Sequence, residues 1–182
     1  LLLILIALHA LPLQAQKKKF TMQEAVLGLS SGLAVKNMKQ LQWMGSAEFY
    51  SQVISNDSER VVMAYSPQTF ESETVISLEK MNKQLSGMGI KELKAIPAIT
   101  WINQVSFYIF HENRYIRFNT LASDSVQTEL LAILPADAEN NAVEPSTMRV
   151  AYTANHDIYI SQKNADAVKV TNDGTKDIVY GK

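Results

Sequence analysis

VEPSTMRVAYTANHDIYISQKNADAVKVTNDGTKDIVYGK, residues 143–182, is the stretch whose reading decides the fold. A strand closing on Arg149-Val150-Ala151-Tyr152, a polar turn over residues 153–156, a second strand Asp157-Ile158-Tyr159-Ile160 and a third strand Val168-Lys169-Val170-Thr171 predict one small antiparallel sheet. The turn residues Asn172-Asp173-Gly174 close it. A sheet of this size cannot bury its own apolar face in water, so it needs neighbours of the same kind.

Those neighbours are legible further up the chain. Short apolar runs separated by polar turns, led into by residues 41–44, predict three strands near residues 48–54, 60–65 and 73–78; a helical or irregular piece over residues 79–93 separates these from residues 98–101, and the pattern then returns near 105–110, 114–118 and 126–134. Phe49-Tyr50, Phe107-Tyr108 and Ala151-Tyr152 open successive units, 58 and 44 positions apart. With the 79–93 piece counted as an insertion, that spacing is within reach of the roughly 40–50 residues of a propeller blade. Trp43 and Trp101 stand shortly before the first strand in two units and Pro145 stands there in the third, and all three read as blade-core residues. The expectation is an all-β chain, about three four-stranded antiparallel blades of a β-propeller over residues 41–182. The repeat carries this reading, because a sandwich also has short strands. Three blades do not close a ring, so open edges at both ends and a longer parent protein are expected.

Composition narrows the function classes. The chain has 17 basic and 18 acidic residues and 47% hydrophobic residues, a balance with no electrostatic case for nucleic acid or an anionic membrane. Cysteine is absent, which excludes a disulfide framework, a thiolate metal site and a cysteine nucleophile. LLLILIALHALPL, residues 1–13, is an apolar run of signal-peptide length, too short for the roughly 20 residues of a bilayer span. We read residues 1–15 as a leader cut after Ala15, lacking its initiator Met and cationic start because the sequence is truncated there. The alternative is an uncleaved anchor with Lys17-Lys18-Lys19 at the membrane face. Either way the protein is exported, periplasmic or extracellular, with membrane association in the second case. Residues 16–40 form a linker with a short helix. Thr21 and Glu24 have capping-box spacing, Phe20 can staple onto Ala25, and Gly28 is the expected stop.

Candidate chemistry is sparse. Gly28-Leu29-Ser30-Ser31-Gly32 matches the G-x-S-x-G of hydrolases, but a helix precedes it where the nucleophile elbow needs a strand, so Ser30 reads as part of a linker. His9 falls in the leader, whereas His111 and His156 read as residues of hairpin turns, and no metal-ligand spacing joins them. Glu71, Glu73, Asp137 and Glu139 are placed in polar connections, where carboxylates stay hydrated. Arg114 and Arg117 lie in a strand. Asn56-Asp57-Ser58 is a glycosylation sequon on a turn. The aromatics Tyr50, Phe107, Tyr108, Tyr115, Phe118, Tyr152 and Tyr159 are expected to pack core and interblade space.

The last unit carries a more specific resemblance. Arg149-Val150-Ala151-Tyr152, Asn155-His156-Asp157-Ile158-Tyr159-Ile160 and Val170-Thr171-Asn172-Asp173-Gly174, followed by Val179-Tyr180-Gly181, resemble part of the N-terminal propeller of dipeptidyl peptidase IV, nearest its secreted Bacteroidetes-type forms. That family has a blade of the form SP-x-G-x-x-x-AY-(x)-N-x-DIY followed by T-x-D-G-x-x-x-x-VYG. Ser146-Thr147 depart from it, standing where a glycine-containing turn is common. Leu41-Gln42-Trp43-Met44-Gly45 and the helix over residues 20–28 follow the family's first elements in order. The resemblance covers most of the chain after the leader and is specific over the last forty residues. It implies a serine exopeptidase of the prolyl oligopeptidase clan that releases X-Pro or X-Ala dipeptides from peptide amino termini. It also implies further blades, a C-terminal α/β-hydrolase domain with the Ser-Asp-His triad, a homodimer of the parent, and an acidic substrate anchor just beyond Lys182. On this reading the chain itself holds no catalytic, substrate-binding or metal residue, requires no cofactor and is inactive alone. An exported propeller that serves only as a binding scaffold is the alternative.

Overall fold

The structure is a computed structural model that describes residues 21–27, 37–45, 48–56, 58–122, 125–162 and 165–181. The expected leader with His9, the Lys17-Lys18-Lys19 run, Phe20 and the Ser30 motif lie outside the described residues. The chain divides after Asn37 into two units. In the first, helix α1 (Met22–Leu27) starts on the expected capping box: the Thr21 amide donates to Glu24 Oε2 at 3.0 Å and the Glu24 amide to Thr21 Oγ1 at 3.0 Å. Each side chain satisfies an amide that has no partner in the first helical turn.

In the second unit the described strands form three four-stranded antiparallel sheets, each a simple meander. The first is β1 (Lys39–Trp43), β2 (Tyr50–Ser55), β3 (Arg60–Tyr65) and β4 (Ser72–Ser77). After helix α2 (Leu78–Gly87) come β5 (Ile99–Asn103), β6 (Ser106–His111), β7 (Arg114–Ala122) and β8 (Ser125–Ile133). The third is β9 (Glu139–Glu144), β10 (Arg149–Ala154), β11 (Asp157–Gln162) and β12 (Ala165–Lys169). Among the described residues no helix is long and apolar enough to cross a membrane.

Strand alternation sends successive side chains to opposite faces, and the middle sheet uses both. Phe107, Ile109, Ile116 and Phe118 join Val53, Val62 and Ile76 of the first sheet and Leu78, Met81 and Leu85 of α2 in one core. Tyr108 and Tyr115, with Leu131, join Val150, Tyr152 and Tyr159 of the third sheet in another. Helix α2 closes the first core because Leu78, Met81 and Leu85 recur on one helical face, and Ser77 starts it by accepting the Lys80 amide at 3.1 Å.

Five expectations need correction. Residues 143–152 are not one strand: β9 ends at Glu144, a turn over residues 145–148 intervenes, and β10 begins at Arg149. Pro145 is therefore a turn residue, and the left-handed backbone of that turn falls on Met148 at φ 57°. Glu144 holds the turn by accepting from Thr147 Oγ1 at 2.5 Å, the Ser146 amide at 3.0 Å and the Thr147 amide at 2.7 Å, which pushes its pKa down to about 2. The tryptophans lie inside β1 and β5 rather than ahead of the first strands. Trp101 packs on the core, but Trp43 is 55% exposed, because the first sheet's outer face has no described sheet against it. His111 ends β6 rather than sitting in a turn, and Glu73 and Glu139 belong to β4 and β9 rather than to connections.

Candidate functional site

The chemically densest cluster among the described residues surrounds Asp157, the first residue of β11, which is 3% exposed. A buried carboxylate needs its charge paired and its lone pairs filled. Here Oδ2 meets Lys169 Nζ at 2.7 Å, while Oδ1 accepts from Thr171 Oγ1 at 2.8 Å and from the Gly174 amide at 3.0 Å. These donors, with the Lys169 hydrogen bond foremost, hold the Asp157 carboxyl below its ordinary range, and Asp157 in turn raises the Lys169 pKa. Tyr159 lies beneath the ammonium at 5.9 Å.

The chain beyond β12 wraps around this carboxylate. Thr171 Oγ1 also accepts the Ile158 amide at 3.0 Å, Tyr180 OH donates to Asp173 at 3.0 Å, and the Tyr180 amide donates to the His156 carbonyl at 3.1 Å. Two glycines are required by contact. A Cβ on Gly174 would sit 2.4 Å from the His156 carbonyl oxygen, and one on Gly181, at φ 74°, would sit 2.4 Å from Thr153 Cγ2. The residues on which the family resemblance rests are thus a structural knot. They fix the path of residues 171–181 over the β10–β11 turn.

The other residues singled out in the sequence also have partners close by. His111 Nε2 bonds the Lys91 carbonyl at 2.9 Å, joining β6 to the segment after α2. His156 and Asn155 form a two-residue hairpin turn with φ of 72° and 48°, the left-handed pair such turns demand. Asn155 Nδ2 donates to Asp137 at 3.0 Å, and Thr69 Oγ1 donates to Glu71 at 3.1 Å. Arg117 pairs with Glu129 within the second sheet, and Arg114 lies 3.8 Å from Glu112. Asn56 of the sequon accepts from Ser58 and Glu59 amides at 3.0 and 2.7 Å and so caps the β2–β3 turn. Of the aromatics, Phe107 and Phe118 are fully buried, Tyr115 and Tyr152 are buried between the second and third sheets, and Tyr50 faces outward beside Trp43. No group of three or more His, Asp or Glu side chains among the described residues is placed to hold a metal.

The seams between sheets, which sequence reasoning did not find, are polar as well as apolar. Gln40 on β1 mimics a strand: its Nε2 donates to the Pro97 carbonyl at 2.9 Å and its Oε1 accepts the Ile99 amide at 3.0 Å. Gln42 Nε2 reaches the Ile99 carbonyl at 3.2 Å, and Trp101 Nε1 donates to Ser51 Oγ at 2.7 Å. Tyr115 OH bonds Asn141 across the second seam, and burial raises its pKa. An open groove of about 1250 Å³ runs between α2 and the β2–β3 turn, and Asn82 braces it through both groups of Leu93. Its rim mixes Arg60, Lys83, Lys91 and Lys94 with Glu59, Glu79 and Glu92, so it presents no field of one sign.

No protein-family model and no curated protein matches the chain. Among solved structures it is similar to a protein from Bacteroides ovatus described as a dipeptidyl aminopeptidase IV, with 22% identity and a TM-score of 0.61 over 86% of this chain and 20% of that one. Dipeptidyl peptidase 4 of Porphyromonas gingivalis aligns over 86% of this chain and 22% of its own length, with 16% identity and a TM-score of 0.45. The chain thus spans about a fifth of the length of the solved proteins it matches. Among the described residues, twelve strands in three meanders stacked face to face, together with the first of these likenesses, make three successive blades of a β-propeller.

Proposed function

We propose that this chain is the N-terminal propeller portion of an exported serine dipeptidyl peptidase, with a leader at residues 1–15, a linker and helix at 16–40 and propeller blades at 41–182. The reading rests above all on the knot around Asp157. Of the residues that carry the resemblance to dipeptidyl peptidase IV, Thr171 and Gly174 bind Asp157 directly, Tyr180 binds Asp173 and the His156 carbonyl, and Gly181 packs on Thr153, and the fold likeness to the Bacteroides ovatus protein points the same way.

In this role the blades wall one side of a substrate chamber and keep folded proteins out, and the knot aims the following chain at the chamber. An acidic pair beyond it would grip the substrate's terminal ammonium, and charge-assisted hydrogen bonds of that kind fix position strongly enough to measure off two residues. The triad would belong to an α/β-hydrolase domain outside this chain. Homodimerisation belongs to the same parent.

The test is to read the gene past codon 182 and assay both proteins on a Gly-Pro chromogenic substrate. An acidic segment within about a dozen residues, and a G-x-S-x-G between strand and helix further on, are expected. So is turnover by the full protein and none by the 182-residue chain. A stop codon, or further blades with no hydrolase domain, would replace this reading with a non-enzymatic binding scaffold.

A further inference from the structure

Asp173-Gly174 is the single Asp-Gly or Asn-Gly pair in the sequence. In such a pair the glycine amide nitrogen gives up its proton and attacks the aspartate Cγ, expelling one carboxyl oxygen as water and closing a five-membered succinimide. Water then reopens the ring at either carbonyl. Reopening at the backbone carbonyl leaves the chain running through the former side chain, an isoaspartate of unchanged mass with one extra methylene in the backbone. Glycine favours ring closure because it has no side chain to obstruct it and the widest choice of backbone angles. The pair lies beyond β12, outside any strand, and Asp173 is exposed, so neither sheet pairing nor lack of water shields it.

The knot shields it instead, at both reacting groups. The Gly174 amide donates to Asp157 Oδ1 at 3.0 Å, and Lys169 at 2.7 Å from Oδ2 helps to keep that carboxyl ionised. An N–H bonded to a buried carboxylate resists losing its proton, because the resulting anion would face a like charge at hydrogen-bond distance. Tyr180 OH binds Asp173 Oδ1 at 3.0 Å and so tethers the carboxyl that has to swing onto the amide nitrogen. Space is closed as well. A Cβ added to Gly174 would meet the His156 carbonyl oxygen at 2.4 Å and Asp157 Oδ1 at 2.7 Å, so the displaced backbone of an isoaspartate has no room there. All of these contacts lie within one sheet and the chain that follows it, and they do not depend on what further blades cover.

We propose that Asp173-Gly174 is a latent isoaspartate site, held closed by Asp157 and Tyr180 and modified when the knot opens. The proposal is independent of the peptidase reading. Because the product cannot re-seat, each modification leaves the knot open and turns a reversible opening into a permanent one.

The test is to age the 182-residue chain at near-neutral pH and to measure isoaspartate at position 173 by peptide mapping. Wild type is expected to accumulate it slowly. Asp157→Ala should speed it about tenfold, the effect on the open population of losing a hydrogen bond to a charged acceptor. Tyr180→Phe should speed it about threefold through the loss of one hydrogen bond at a more accessible site. In denaturing urea all three chains should isomerise at one rate, since the protection is structural. Amides of β5–β8 should stay protected from hydrogen exchange in both variants, which separates release of the knot from unfolding of the sheets. If Asp157→Ala unfolds, Tyr180→Phe carries the test, because the hydroxyl it removes bonds only within residues 173–180. The isolated isoaspartate chain should exchange rapidly at Ile158, Gly174 and Tyr180, whose amides the knot binds. Native wild type isomerising as fast as in urea, a folded variant no faster than wild type, or an isoaspartate chain that keeps those amides protected would overturn the proposal.

Discussion

Asp157 is the residue on which most of the third sheet's polar order converges, and its ionisation makes that order pH-dependent. Its folded pKa is depressed, so it stabilises the fold above its unfolded value, near 4, and that contribution is lost as pH falls through the lower folded value. Glu144 titrates in the same acid window, although it is exposed. Asp157→Asn is therefore expected to lower the thermal midpoint at pH 7 and to flatten, without abolishing, its decline between pH 5 and pH 2, as read by scanning calorimetry at about half-unit steps. A variant whose decline parallels the wild type would count against this. At this scale the sequence was readable where a partner lies three residues away, as with Thr21 and Glu24. It was not readable where the partner is remote. His111 meets Lys91, and nothing in the local pattern announces that bond.

Among the elements, α2 shows how a connection becomes part of a core. Its apolar face completes the cluster between the first two sheets, and its start depends on one hydroxyl. Ser77→Ala should cost about 1 kcal/mol, seen as a lower urea midpoint and as faster hydrogen exchange at the first turn of α2. An unchanged midpoint would mean that another group takes over the Lys80 amide. The strands of β2, β3, β6 and β7 could be read because apolar residues recur in them. Strand β9 could not: Glu139-Asn140-Asn141-Ala142-Val143-Glu144 is polar at four of six positions and is held in place by its pairing with β10. The Asp157 knot was visible as a motif, but its structural role was not, because the contacts that define it join β11 to residues 169–174.

For the molecule as a whole, the middle sheet is shared between two cores, and this makes damage unequal. Phe107→Ala, at a fully buried site of the first core, should cost about 3–5 kcal/mol and deprotect amides in all three sheets, since the second sheet supports both neighbours. Tyr152→Ala should deprotect the third sheet and leave β1–β8 protected. Hydrogen exchange read by mass spectrometry separates the two patterns, and global deprotection by Tyr152→Ala would show that the blades unfold as one unit. The repeat was legible because each blade spends similar residues on similar positions. The seams were not, because Gln40, Gln42 and Ser51 act on backbone or indole groups some fifty to sixty positions away. The place of α2 in the chain also bears on biosynthesis. The helix follows β4 directly, so a nascent chain has made Leu78, Met81 and Leu85 before any strand of the second sheet leaves the ribosome. The helix that later fills the seam can thus shelter the first blade's inner surface during elongation, acting as a built-in placeholder until Phe107 and Phe118 arrive.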